Sequence, residues 1–171
     1  LRVLAVGRLS YYKGFDVLLQ VARQLEGVEV RIVGQGALRE RLEASRPDNV
    51  ILCGGVSDAQ LHALLANCDL FVLPSIERTE AFGVSLLEAM AYARPIVATR
   101  LEGSGVTEVA REGVNALLVP VADAAALAEA IKALKDDAAL RTRLGEQGRR
   151  RFEREYRIDA VAEAIDRIYS Q

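Results

Sequence analysis

Six short apolar runs, mostly unalternating and rich in β-branched residues, are separated by longer stretches with helical spacing. The runs are Arg2 to Val6, Val28 to Val33, Val50 to Cys53, Leu70 to Leu73, Ile96 to Ala98 and Ala116 to Val119. Runs of this kind suit strands covered on both faces. Phe15, Leu18, Leu19, Ala22 and Leu25, and again Leu61, Leu64 and Leu65, recur at i, i+3, i+4 spacing and predict helices between strands. A repeated strand-helix-strand order specifies an α/β fold: a six-stranded parallel sheet flanked by helices, with right-handed crossovers. Two or three helices close the chain, over Ala124 to Leu134, Ala138 to about Phe152, and Ile158 to Tyr169. The last has an apolar stripe, Ile158, Val161, Ala162, Ile165 and Ile168, that suits either this sheet or another domain. With 171 residues, 51% of them hydrophobic, the chain is expected to form one domain over 1–171 with a sizeable core. It opens on Leu1 and enters a strand at once, which suggests a fragment.

In an open α/β sheet, ligands bind beyond the carboxyl ends of the strands. The residues at those ends are Gly7-Arg8, Gly34-Gln35-Gly36, Gly54-Gly55, Pro74-Ser75 followed by Glu80, and Glu102-Gly103-Ser104-Gly105. Glycine there either serves the turn itself or lets a ligand approach the backbone closely. Gly7 to Gly14 lacks both the GxGxxG dinucleotide turn and the GxxxxGK[ST] phosphate loop, and Arg39 occupies the third glycine position after Gly34-Gln35-Gly36. Arg8 and Lys13 stand in place of those loops. The first offers a planar fork and the second a compact charge, both suited to phosphate. They are either ordinary surface cations or ligand groups, and on the second reading each should lose at least about tenfold in nucleoside diphosphate binding on replacement by alanine, without unfolding.

Glu80 and Glu88 flank the start of an apolar helix, near Gly83 to Ser85. A carboxylate inside such a stretch is costly unless something polar meets it. Glu88, about one turn into the helix, is placed to accept hydrogen bonds from a ribose diol, or else is a solvated helix carboxylate. Glu80 lies where a group beyond the phosphates would sit, or else complements the helix dipole. N–H groups from Gly83 to Ser85 would add positive potential for the same phosphates.

Other features exclude more than they assign. A formal charge of −2, from 22 basic and 24 acidic residues, argues against a nucleic-acid-binding face. Arg149-Arg150-Arg151 reads as a solvated helix face beside Glu146, Glu153 and Glu155. His62 is placed on a helix surface away from the strand ends, and Cys53 and Cys68 read as small core hydrophobes of a reducing compartment. A single His and no Cys/His/Asp cluster leave zinc without ligands. No apolar run approaches a membrane span, so a cytoplasmic protein is expected.

Taken together, Gly7-Arg8-Leu9, Lys13-Gly14, Ile32-Val33-Gly34-Gln35-Gly36, Gly54-Gly55-Val56, Asp69 to Ser75 and Glu80-x7-Glu88 resemble the donor-binding domain of retaining GT-B glycosyltransferases of the family 4 type. The resemblance runs from Leu1 to about Asp136 and implies a Rossmann-like domain forming one half of a GT-B fold. It implies a nucleotide-sugar partner, with the acceptor, and any peripheral membrane contact, left to an absent N-terminal half. By matching position, Arg8 and Lys13 would hold the diphosphate and Glu88 the ribose. Glu80 and the backbone of Phe82, Gly83 and Val84 would hold the sugar, with the Ser85 N–H near the phosphates. Val56 and the Gly34 to Gly36 loop would border the base. No metal or other cofactor is implied. Ala81, Ala93 and Ala116 stand where glycine is frequent, a departure of little cost unless φ must be positive. Two other readings are a related nucleotide-sugar 2-epimerase and a non-catalytic flavodoxin-like ligand-binding or regulatory module. Against the latter, Gly7 and Arg8 stand where a phosphoacceptor domain needs acids.

Overall fold

The computed structural model describes residues 1–159. Strands β1 (Arg2–Val6), β2 (Glu29–Val33), β3 (Val50–Gly54), β4 (Leu70–Leu73), β5 (Ile96–Thr99) and β6 (Ala116–Val119) form one sheet in the order β3-β2-β1-β4-β5-β6. Every neighbouring pair is parallel. This is the expected six-stranded sheet, with a boundary moved by one residue at β2, β3 and β5. The order reverses direction between β1 and β4, and their carboxyl ends flank the resulting crevice.

Helices α1 (Phe15–Ala22), α2 (Arg39–Ser45), α3 (Asp58–Asn67), α4 (Val84–Ala91), α5 (Val106–Val109), α6 (Ala124–Asp136) and α7 (Ala138–Arg151) follow in chain order. Alternate residues of β1 feed two separate cores. Val3 and Ala5 pack with Leu18, Leu19, Leu42, Leu127 and Ile131 from α1, α2 and α6. Leu4 packs on the opposite face with Leu65, Leu86, Met90, Val106 and Val109 from α3, α4 and α5. Burial on both faces explains why the strands read as apolar runs. Polar side chains set several helix starts. Ser57 and Gln60 form a capping box on α3, and Asp123 and Asp137 accept the Ala126 and Leu140 N–H groups at 2.9 and 2.8 Å. Cys68 is buried as expected, and burial pushes its thiol up to about 11, so it behaves as an inert core group.

Two sequence expectations need correction or restriction. Arg149 and Arg150 lie on an exposed face paired with Glu153 and Glu146, but Arg151 is 4% exposed. It shares the inner face of α7 with Leu144 and Gly148, and donates to the carbonyls of Glu108 and Val109, to Asn115 Oδ1 and to Glu155. The helix expected over Ile158 to Tyr169 falls almost wholly outside the described residues.

Of the three alanines standing where glycine is frequent, only Ala93 has positive φ, at 52°. It closes α4: its own N–H reaches the Met90 carbonyl at 3.0 Å and the Arg94 N–H reaches Ala89 at 2.9 Å, a turn that favours glycine at the left-handed position. Ala93→Gly is therefore expected to stabilise the chain by about 1 kcal/mol. Thermal unfolding should show the midpoint rising by about 2–4 °C.

Candidate functional site

The loops after β1 and β4 meet across the crevice. After β1 the chain makes a 3-10 turn over Tyr11–Lys13 and passes through Gly14 at φ 66° into α1. A Cβ on Gly14 would collide with the Pro74 carbonyl, and the Ile76 N–H donates to the Tyr12 carbonyl at 2.7 Å, so the two loops are in backbone contact. The Lys13 stem runs over Gly7, where a Cβ would sit 2.8 Å from its Cε. Its ammonium group donates to Glu80 Oε2. Both residues are 8% exposed.

The resemblance implies phosphates for Lys13 and a sugar for Glu80 as separate groups; the structure brings the two together as an ion pair. Ser75 Oγ donates to the same Oε2 at 2.9 Å. Among the described residues, Glu80 Oε1 accepts no hydrogen bond and the Lys13 ammonium has no acceptor besides Glu80. Each partner thus keeps capacity for a ligand, Oε1 for a hydroxyl and the remaining Lys13 protons for an anion. Arg8 is exposed at the exit of β1, and its guanidinium makes no ion pair or hydrogen bond among the described residues.

Gly83, at φ 75°, caps α4. The N–H groups of Ala81, Phe82, Gly83, Val84 and Ser85 donate to no acceptor among the described residues, whereas Leu86 N–H bonds back to the Gly83 carbonyl at 2.8 Å. Five consecutive unused donors at the positive end of a helix suit oxygen-rich, anionic ligands. Phe82 and Val84 are exposed beside them.

Glu88 lies one turn into α4, half-buried, and its carboxylate accepts no hydrogen bond from a described residue. Burial raises its proton affinity above the ordinary carboxylate value; His62 opposes that shift and Asp58 adds to it. His62 is exposed on α3, as expected, yet it faces α4, with its ring 6.0 Å from Tyr92. A group whose proton affinity is raised by folding stabilises the folded state most at low pH, and that stabilisation is lost as pH rises through the raised value. Glu88→Gln is therefore expected to match or exceed the parent in stability near about pH 7, and to lose that advantage by about pH 4. Urea denaturation at the two pH values would show it.

Gly34 and Gly36 serve loop packing first. Gly34 has φ 148°, and a Cβ on it would collide with the Gly7 carbonyl; one on Gly36 would collide with Leu9. Both hold the loop after β2 against the loop after β1, where Leu9 N–H donates to Gln35 at 2.8 Å. Val56 precedes the Ser57 cap and lines a cavity of about 610 Å³ between α3 and the sheet, together with Arg31, Cys53 and Gln60. Sequence reading missed Ser75, which is fully buried against Glu80, and Ser104, whose hydroxyl donates to the Glu80 carbonyl. Both stand in strand-end segments, Pro74-Ser75 and Glu102 to Gly105, and that position is the one signal the sequence carries for them. Among the described residues, no three His, Cys, Asp or Glu side chains gather as a metal-ligand set, and no helix is long and apolar enough to cross a membrane.

The sheet order and the crevice at its reversal define a Rossmann-like α/β domain of the kind found in GT-B glycosyltransferases. The chain belongs to the glycosyl transferases group 1 family, whose sequence model matches residues 1–151. It is 35% identical over 171 residues to the O-antigen chain mannosyltransferase C of Escherichia coli, covering 98% of this chain and 46% of that protein. It is also 35% identical over 175 residues to a phosphatidyl-myo-inositol mannosyltransferase of Mycobacterium leprae, covering 98% and 46%. Among solved structures, the sucrose-phosphate synthase of Thermosynechococcus elongatus superposes with a TM-score of 0.88 at 30% identity, over 99% of this chain and 45% of that one. Anabaena HepE, solved with UDP and glucose, gives 0.84 at 23% identity, over 99% and 48%, and shares the fold. The chain spans about half the length of the curated relatives it matches.

Proposed function

We propose that the chain binds a nucleoside-diphosphate sugar and supplies the donor-binding half of a retaining glycosyltransferase that works without a metal. The observation that carries this reading is the row of unused N–H donors from Ala81 to Ser85, set beside the Lys13–Glu80 pair at the sheet's reversal point. Glycosyl transfer builds negative charge on the departing diphosphate while the sugar becomes cationic. Arg8, the free Lys13 protons and the N–H groups of Gly83, Val84 and Ser85 meet that charge, each such donor contributing about 3 kcal/mol in a water-excluded site. Glu80 Oε1 and the N–H groups of Ala81 and Phe82 hold the sugar, Glu88 accepts from the ribose diol, and Val56 with the Gly34–Gly36 loop borders the base. The two glutamates are thus both engaged as binding groups, and the leaving phosphate takes the acceptor proton. HepE, of the same fold, was solved with UDP and glucose. The acceptor would be held by an N-terminal domain, a reading supported by the half-length match to relatives.

A thermal-shift screen of UDP, GDP, ADP and their sugars tests the reading. At a hundred times its dissociation constant a true ligand adds about 2.7 kcal/mol and raises the melting midpoint by several degrees. No shift with any of them at millimolar concentration would overturn it. The chain alone should bind its donor yet transfer no sugar, and transfer by the isolated chain would refute the need for a second domain.

A further inference from the structure

We infer that Ser104 is a positioning residue for sugar recognition: its hydroxyl turns the peptide groups whose N–H donors face the transferred sugar. The inference rests on the donor-binding reading above. In a trans peptide the C=O and the following N–H point in opposite directions. Ser104 Oγ donates to the Glu80 carbonyl and lies 3.3 Å from the Ala81 carbonyl, which also accepts the Gly105 N–H at 2.7 Å. Both carbonyls are therefore turned towards the loop after β5, and the N–H groups of Ala81 and Phe82 are turned away from it. Neither N–H has an acceptor among the described residues.

The hydroxyl cannot swing freely. It accepts the Val106 N–H at 3.2 Å, which leaves its proton for the Glu80 carbonyl, and Ser104 is only 9% exposed. Gly105 lets the loop press close: a Cβ there would sit 2.8 Å from the Phe82 ring and 3.0 Å from the Ala81 oxygen. Removing the Ser104 hydroxyl leaves the Gly105 clamp on Ala81 but frees the Glu80–Ala81 peptide to rotate. That peptide carries one sugar-facing N–H and anchors the Glu80 side chain. Arg8 and the N–H groups from Gly83 to Ser85, which serve the diphosphate, are untouched by the change.

The test is calorimetric titration of the chain with UDP-glucose against UDP, and GDP-mannose against GDP. For the pair that the parent binds, Ser104→Ala is expected to lose about fivefold in affinity for the sugar nucleotide and less than about twofold for the diphosphate. Ser104→Thr, which keeps the hydroxyl, is expected to restore the difference. Equal losses for both ligands would mark a merely structural role, and no loss would likewise overturn the inference. If Ser104→Ala fails to fold, amide exchange on the parent decides. The Ala81 and Phe82 N–H groups should gain more protection with the sugar nucleotide than with the diphosphate, and equal protection would overturn it. A parent chain that binds none of UDP, GDP, ADP and their sugars in the thermal-shift screen refutes the donor-binding reading itself, a result distinct from binding without selectivity at Ser104.

Discussion

Lys13→Ala is expected to destabilise the chain by about 3 kcal/mol or more, because it leaves the Glu80 carboxylate buried with Ser75 as its only side-chain partner among the described residues. Donor affinity should fall with it. This replaces the expectation from sequence that Lys13 is dispensable for folding: a cation that is 8% exposed and paired with an equally buried carboxylate is part of the fold. Coulomb attraction offsets desolvation only while both charges are present, so the loss depends on what remains. Glu80→Gln alone strands the ammonium and should also destabilise. The double variant Lys13→Ala/Glu80→Gln leaves no buried charge and should recover much of the stability without recovering nucleotide binding. Urea denaturation of the four chains measures the coupling. A Lys13→Ala chain with an unchanged midpoint would show that the pair is screened by water in solution.

Arg8→Ala separates binding from folding. The Arg8 side chain is exposed and makes no bond among the described residues, so its loss should leave the denaturation midpoint unchanged. Affinity for a nucleoside diphosphate should fall at least about tenfold, the loss of charge-assisted hydrogen bonds to phosphate. Arg8→Lys should fall between, since an ammonium keeps the charge but not the planar fork. Calorimetric titration at low salt would check this, and equal affinities for the parent and Arg8→Ala would remove Arg8 from the site.

The strands were legible because burial on both faces leaves an apolar run that needs no partner to be recognised. The candidate site side chains were legible as positions, each standing just past a strand or inside the helix that follows. Their mutual contacts were not. Lys13 and Glu80 are 67 positions apart, and nothing local to either residue specifies that their loops touch. The same limit hid Ser75 and Ser104, whose importance lies in the carboxylate and carbonyl they serve. Arg151 was misplaced for a different reason. A run of three arginines was judged by its charge, whereas the helical period turns the third one inward beside Leu144 and Gly148. His62 was correctly placed on a helix surface, but the side it faces depends on how α3 lies against α4.

The buried Lys13–Glu80 pair also predicts what a population of variants would look like. In a library sorted only for soluble, folded chains, position 13 would accept few residues unless position 80 changed with it, while position 8 would accept nearly any. A second sort for nucleotide capture would narrow position 8 sharply and, at position 13, remove the folded chains that had changed it together with position 80. Two cations proposed for the same phosphates would then leave different records, one written first by folding and the other by the ligand alone.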